Sequence, residues 1–236
     1  SADMDPIVQL AKQYKLHIIE DCCQAHGAEY KSRVLPYTDT GAFSFYPGKN
    51  LGAFGDGGAL VTDNKRIRDT VLRLRNDGST IKYVHTVLGY KSRLDTMQAA
   101  ILSAKLPYLT SWNEARRRMA NLYHRLLRDI PQVKTPKEMP YARHVYHIYC
   151  IEVQKRDTLQ QYLAQQGIKT VIHYPTPVHL QAAYAKEGYK KGDFPVTEEK
   201  AKSILSIPMF PELRENEVRY ICNAIKKFYS SHKRHW

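Results

Sequence analysis

Apolar positions along the chain change period repeatedly, from helical to strand-like and back, which is the pattern of an α/β protein. Asp5-Pro6 reads as an N-cap followed by proline in the first turn, and Ile7, Leu10, Ala11 and Tyr14 then fall on one helical face. His17-Ile18-Ile19 follows as a short buried strand ending at Glu20-Asp21, so polar side chains stand where an α/β strand runs out, the edge at which ligands gather. Two more strands are predicted at 42–46 and 58–62, and the glycine-rich turn 47–57 between them holds Lys49. Helices are predicted at 65–76, 94–105 and 111–129. The last carries Trp112, Ala115, Met119, Leu122 and Leu126 on one stripe and is long enough to bridge two domains.

The segment 131–143 holds three prolines and no helical period, so the domain boundary is expected there, giving domains of 1–130 and 131–236. In the second, smaller α/β domain the pattern predicts a strand at 145–153, a helix at 157–166 closed by Gly167 and a strand at 168–173. A terminal helix at 215–230 turns Val218, Ile221, Cys222 and Ile225 inward, and 231–236 reads as a mobile tail.

The 236 residues are 43% hydrophobic and 25% charged, and no apolar run is long enough to cross a bilayer, so a soluble globular protein is expected. Cys22, Cys23, Cys150 and Cys222 match neither a zinc spacing nor an extracellular disulfide framework, which predicts a reduced, cytoplasmic setting. No Cys or His pair stands at a metal-ligand spacing. The N-terminus lacks the basic and apolar regions of a signal peptide, and Met4 lies inside a turn leading into a helix, so a piece of a longer chain is expected.

A net charge of +13, clustered at 65–75, 116–128 and 226–234, favours anionic partners. Nucleic acid is one candidate, yet the clusters lie on amphipathic helices, where solvated faces are the commoner explanation. A phosphorylated small molecule fits the charge equally well, and neither nucleic acid nor a membrane is expected as the partner.

Two strings carry the chemistry. In Glu20-Asp21-Cys22-Cys23-Gln24-Ala25-His26-Gly27, a carboxylate at the end of a buried strand needs a cation nearby; a protonated pyridine would serve, and a turn cap is the alternative. In Ser44-Phe45-Tyr46-Pro47-Gly48-Lys49-Asn50, a hydroxyl and an amine follow one strand. Glycines there can bring backbone N–H groups to a phosphate while the amine attacks a carbonyl; an ordinary surface hairpin is the alternative.

Together, at this spacing, the two strings resemble the DegT/DnrJ aminotransferases, fold-type I pyridoxal-phosphate enzymes acting on nucleotide sugars. Asp3-Met4-Asp5-Pro6-Ile7, Gly55-Asp56-Gly57-Gly58, Gly89-Tyr90-Lys91-Ser92-Arg93-Leu94-Asp95 and 172–181 extend the resemblance over the whole chain. It implies part of a large α/β domain, with a mixed, mostly parallel sheet and flanking helices, joined to a smaller C-terminal α/β domain. It implies pyridoxal 5′-phosphate as cofactor, with Lys49 bonded to it and shuttling the proton, Asp21 on the pyridine nitrogen, Gln24 near the ring hydroxyl and Ser44 donating to the phosphate.

Where the family has Gly-Tyr-Asn-Ser-Arg this chain has Lys91 in place of the Asn, whose family role is to reach the cofactor phosphate across a homodimer interface. His173-Tyr174-Pro175-Thr176-Pro177-Val178-His179 is similar to the form found in members that aminate a 3-keto sugar on a nucleoside diphosphate, which makes His173, Tyr174 and His179 candidate substrate ligands. The resemblance implies an amino-acid donor, glutamate, and that keto sugar as acceptor. Relatives that dehydrate the sugar carry His where Lys49 stands, and a binding or regulatory module that keeps the scaffold without turnover is the remaining alternative. His85, His124, His144 and His147 read as surface or core groups.

Overall fold

The computed structural model describes residues 1–231, so 232–236, most of the predicted tail, lie outside the described residues. The chain forms two compact units: Ser1–Glu114 with Glu138–His147, and Ala115–Lys137 with the chain from Ile148 onward.

In the first unit, α1 (Met4–Tyr14) precedes β1 (Glu20–Asp21), β2 (Glu29–Tyr30), β3 (Arg33–Val34), β4 (Thr40–Ser44) and β5 (Gly58–Thr62). α2 (Lys65–Leu74), the hairpin of β6 (Ser79–Ile81) and β7 (Val84–His85), and α3 (Thr96–Lys105) follow. A 3-10 turn at Leu106–Tyr108 then leads into α4 (Leu109–Leu127), along which the division between the units falls. Pro107 in that turn lacks the N–H that a continuous helix would use, which keeps α3 and α4 separate.

The central sheet has the order β1-β4-β5, with β1 parallel and β5 antiparallel to β4. The predicted strand 17–19 does not join it. Only Glu20 and Asp21 are laddered, opposite Gly41 and Ala42, and Ile19 is exposed. The periodicity of α1 likewise misleads, because Ile7, Leu10 and Tyr14 stay exposed while Met4 and Ala11 are buried. α2 is capped by Asn64, whose Oδ1 accepts from the N–H groups of Arg66 and Ile67.

A second small sheet was not foreseen from the pattern. β2 and β3 form a hairpin through Lys31-Ser32, both at positive φ, and β2 also pairs with β9 (Ala142–Arg143). Tyr30 is fully buried there with Met4, Cys22, Ala28, Leu35 and Val145. Its hydroxyl donates to Asp3 at 2.6 Å, which satisfies the polar end of the ring.

The second unit has an antiparallel sheet of order β11-β10-β8, formed by β8 (Val133–Lys134), β10 (Tyr149–Val153) and β11 (Ile204–Ile207). α5 (Arg156–Gln165), α6 (Pro195–Ser203) and α7 (Glu215–Ser231) accompany it. Strand 145–153 shortens to β10, which alternates as a half-buried strand should, with Tyr149, Ile151 and Val153 inward. The predicted strand 168–173 reduces to one bridge, Val171 with Ser206. Gly167 ends α5 at φ 74, a conformation that only glycine adopts without strain.

On α7 the predicted inward set of Val218, Ile221, Cys222 and Ile225 is buried and extends to Phe228 and Tyr229. Not all of the basic clusters are solvated. Arg116 on α4 is 5% exposed, its Nη1 donates to the Met209 carbonyl at 2.9 Å, and burial brings its pKa down to about 10.

Phe228 is fully buried, with ring neighbours Tyr162 and Tyr229 at 5.4 and 5.0 Å. Phe228→Ala is expected to destabilise the protein by about 3–5 kcal/mol, read from urea unfolding.

Candidate active site

The ends of β1 and β4 and the loop after β4 bring chemical groups together. Adjacent residues on β1 face opposite ways, and the two carboxylates divide accordingly. Glu20 accepts from the N–H groups of Tyr37 and Thr38 and from the Thr38 hydroxyl, at 3.0, 2.5 and 2.6 Å, so it pins the chain before β4. Asp21 is exposed and accepts from the Cys23 N–H at 3.0 Å. Hydrogen bonding from Cys23 holds its carboxyl below the ordinary value against the opposing effect of burial, and the Lys49 charge adds a smaller lowering. Asp21 is therefore an anion at neutral pH with Lys49 as its cationic neighbour.

The Lys49 loop is tightly closed. Lys49 N–H donates to the Tyr46 carbonyl at 2.9 Å across Pro47-Gly48, Ala53 N–H to Phe45 at 2.8 Å, and Phe45 N–H to Gly57 at 2.7 Å. A Cβ on Gly52 would lie 2.3 Å from the Pro47 carbonyl oxygen, so only glycine fits. The Gly52 carbonyl in turn accepts from Lys105 Nζ. Ser44 closes β4, and its Oγ accepts from Tyr46 N–H at 3.3 Å.

Two residues not singled out by the sequence reading hold this arrangement. Asn50, 4% exposed, donates from Nδ2 to Asn113 Oδ1 at 2.8 Å and to the Val145 carbonyl at 3.1 Å. Asn113, also buried, donates to the His26 carbonyl at 2.8 Å. Gly27, at φ 76, leaves room for that amide, since a Cβ there would stand 2.9 Å from Asn113 Nδ2. The residue after Lys49 is thereby tied to the turn that follows Asp21. No signal in the sequence marks either residue, since Asn113 stands beside the apolar stripe and not on it, with Arg116 and Arg117 one turn further on.

His26 is 3% exposed, its ring lies 5.3 and 5.9 Å from those of Phe43 and Phe45, and neither ring nitrogen has a hydrogen-bond partner among the described residues. Burial first, and then the Lys49 charge, bring its pKa from 6.5 to about 4. It is neutral at pH 7.

Of the residues expected at the site, Asp21, Ser44 and Lys49 thus come together, and Gln24 lies exposed on the turn after β1. Lys91 is placed differently. It is exposed and bridged through the backbone to Asn76, on a segment zipped to the end of α2 by Tyr90 N–H to Leu74 and Ser92 N–H to Arg75. His173, Tyr174 and His179 belong to the second unit. His173 Nδ1 lies 2.9 Å from Ser206 Oγ, its ring meets Tyr174 edge-on, and Tyr174 is exposed. His179 Nε2 lies 3.0 Å from Glu198, whose carboxylate also accepts from Gly192 N–H; that N–H and His179 together hold Glu198 below its ordinary pKa.

A carboxylate at one strand end and an amine on the loop after the neighbouring strand suit the chemistry implied by the resemblance. Residues 1–226 match the DegT/DnrJ/EryC1/StrS aminotransferase family. The chain belongs to this family. It is 48% identical over 231 residues to a pleiotropic regulatory protein of Geobacillus stearothermophilus, covering 97% of this chain and 62% of that one. It is 42% identical over 228 residues to dTDP-3-amino-3,4,6-trideoxy-α-D-glucose transaminase of Streptomyces venezuelae, covering 96% and 60%. The crystal structure of S. venezuelae DesV in complex with a ketimine intermediate superposes with a TM-score of 0.94 at 42% identity, over 97% of this chain and 62% of that one. The chain spans about three fifths of the length of these relatives. The fold of this DegT/DnrJ/EryC1/StrS member is accordingly a partial fold-type I aminotransferase fold, with the mixed sheet the resemblance implied.

Asn50→Leu strands two buried acceptors, Asn113 Oδ1 and the Val145 carbonyl, and is expected to cost roughly 1–3 kcal/mol for each in urea unfolding. His26 generates a pH prediction. Its folded pKa lies below its unfolded one, so the unfolded chain takes up the proton first and stability falls as pH drops from about 6.5 towards about 4. Unfolding free energy at pH 5 is expected to lie about 2 kcal/mol below that at pH 7, and His26→Phe should remove that component.

Proposed function

We propose that the protein acts as a pyridoxal-phosphate aminotransferase that moves an amino group from glutamate to a keto sugar, aminated at its 3-position, on a nucleoside diphosphate. The observation that carries this reading is the ionised Asp21 at the end of β1 beside the charge of Lys49, on the loop that follows the adjoining strand β4. The donor set fits the cofactor: a carboxylate held as an anion for a ring nitrogen, an amine for an aldehyde carbon, and the Ser44 hydroxyl at the same sheet edge for a phosphate. The name of the S. venezuelae transaminase supports a 3-amino sugar product.

When bound, pyridoxal phosphate supplies an electron sink. Asp21 keeps the proton on the ring nitrogen, which that role requires. Lys49 Nζ takes the proton from the α-carbon of the donor and returns one to the sugar carbon in the second half of the exchange. Gln24 and Ser44 orient the ring. His173, Tyr174 and His179 take the sugar nucleotide, and Lys91 reaches the phosphate in the second subunit of a homodimer as a point charge. The name of the Geobacillus relative favours a second reading, a regulatory module retaining the scaffold.

Lys49 decides between them. In the protein completed to the length of its relatives, incubation with pyridoxal 5′-phosphate, borohydride reduction and peptide mapping should find the phosphopyridoxyl group on Lys49, prior glutamate should diminish it, and Lys49→Ala should lose it. Labelling of Lys49 no stronger than that of the other lysines, or indifference to glutamate, would sink the aminotransferase reading in favour of the regulatory one.

A further inference from the structure

Ser206 is a hydroxyl in an apolar strand. β11 reads Ile204-Leu205-Ser206-Ile207, and Ser206 is 6% exposed, so its polar group needs a partner. Strand register supplies one. Ser206 stands opposite Cys150 of β10 on one side, and on the other it exchanges backbone hydrogen bonds with Val171, at 3.0 and 2.8 Å. Two residues beyond Val171, the His173 ring places Nδ1 2.9 Å from Ser206 Oγ. The backbone on both sides therefore fixes where the hydroxyl stands, and the imidazole docks onto it.

We propose that Ser206 is a positioning residue that holds His173 in the tautomer with its proton on Nε2, so that the ring presents one N–H to an oxygen of the acceptor substrate. Ser206 has one proton to donate and two neighbours to receive it, the Cys150 sulfur, a weak acceptor, and the unprotonated nitrogen of an imidazole, a strong one. The proton goes to His173 Nδ1. The neutral ring then carries its own hydrogen on Nε2, which has no partner among the described residues. Burial lowers the pKa of His173, which favours the neutral ring in which the two tautomers differ.

An Nε2–H suits a sugar hydroxyl or diphosphate oxygen as acceptor and excludes His173 from acting as a base through that atom. The assignment rests on the aminotransferase reading only for what meets Nε2; the tautomer does not depend on it.

The test is long-range ¹H–¹⁵N NMR of His173 in the 236-residue protein without ligand. A bare Nδ1 and a protonated Nε2 are expected, and the opposite tautomer would overturn the proposal with no variant needed. Ser206→Ala should turn the single tautomer into a mixture, and Ser206→Thr, which keeps the hydroxyl, should restore it. An unchanged tautomer in Ser206→Ala would equally overturn the proposal. Failure of Lys49 to take the phosphopyridoxyl label with the His173 tautomer as expected would count against the aminotransferase reading alone.

Discussion

The buried amide pair Asn50 and Asn113 is the constraint on which the rest of the candidate site depends. Both hydrogens of Asn50 Nδ2 are used, on Asn113 and on Val145, and its oxygen faces His147 Nδ1 at 3.2 Å. Asn113 passes the connection on to the His26 carbonyl. A polar network buried this deeply destabilises a fold when incomplete and specifies one arrangement when every member is satisfied. Four stretches far apart in sequence are therefore locked together: the turn after Asp21, the Lys49 loop, the start of α4, and the segment that rejoins the first unit near Val145. The spacing of Lys49 and Asp21 follows from a pair of residues that do no chemistry.

That scaffold also decides the electrostatics. The His26 ring on the same turn is buried against Phe43 and Phe45, where a charge is disfavoured. A protonated imidazole there would instead meet the Lys49 charge, which disfavours it further. Kept neutral, His26 leaves Lys49 as the cation that acts on the carboxylate. Glu20 is engaged by its three donors from Tyr37 and Thr38, so of two adjacent carboxylates one is structural and one is available.

Much of this was legible in the chain and some was not, for identifiable reasons. The regular segments with a strong period, α2, α5, α7 and β5, lie close to where the pattern put them. Of the apolar face predicted for α1, Ala11 is buried but Ile7, Leu10 and Tyr14 remain exposed, because periodicity reports a face without reporting what covers it. The sheet of β2, β3 and β9 escaped notice since its strands are two residues long and its turn, Lys31-Ser32, lacks the Asn-Gly signal of positive φ. Asp21, Ser44 and Lys49 stood out through the resemblance, each being ambiguous alone. Asn50 and Asn113 could not stand out, being 63 positions apart, with a role that exists only once the chain has folded.

The second unit repeats that lesson with its histidines. His173 and His179 share one string and looked equivalent, yet each has one ring nitrogen committed to a different neighbour. His179 meets Glu198 through Nε2 and lies against Phe194 at 4.7 Å, while Glu198 also gathers Gly192, so this histidine closes the long excursion from 178 to 198 upon itself. His173 is instead braced through Nδ1 on a buried strand, with an exposed tyrosine beside it. A ligand contact made through His179 Nε2 would compete with Glu198, whereas one made through His173 Nε2 would displace no neighbour among the described residues. On the proposed function, His173 and Tyr174 meet the sugar nucleotide from the strand side, and His179 meets it while its Nε2 keeps the neighbouring segment in place.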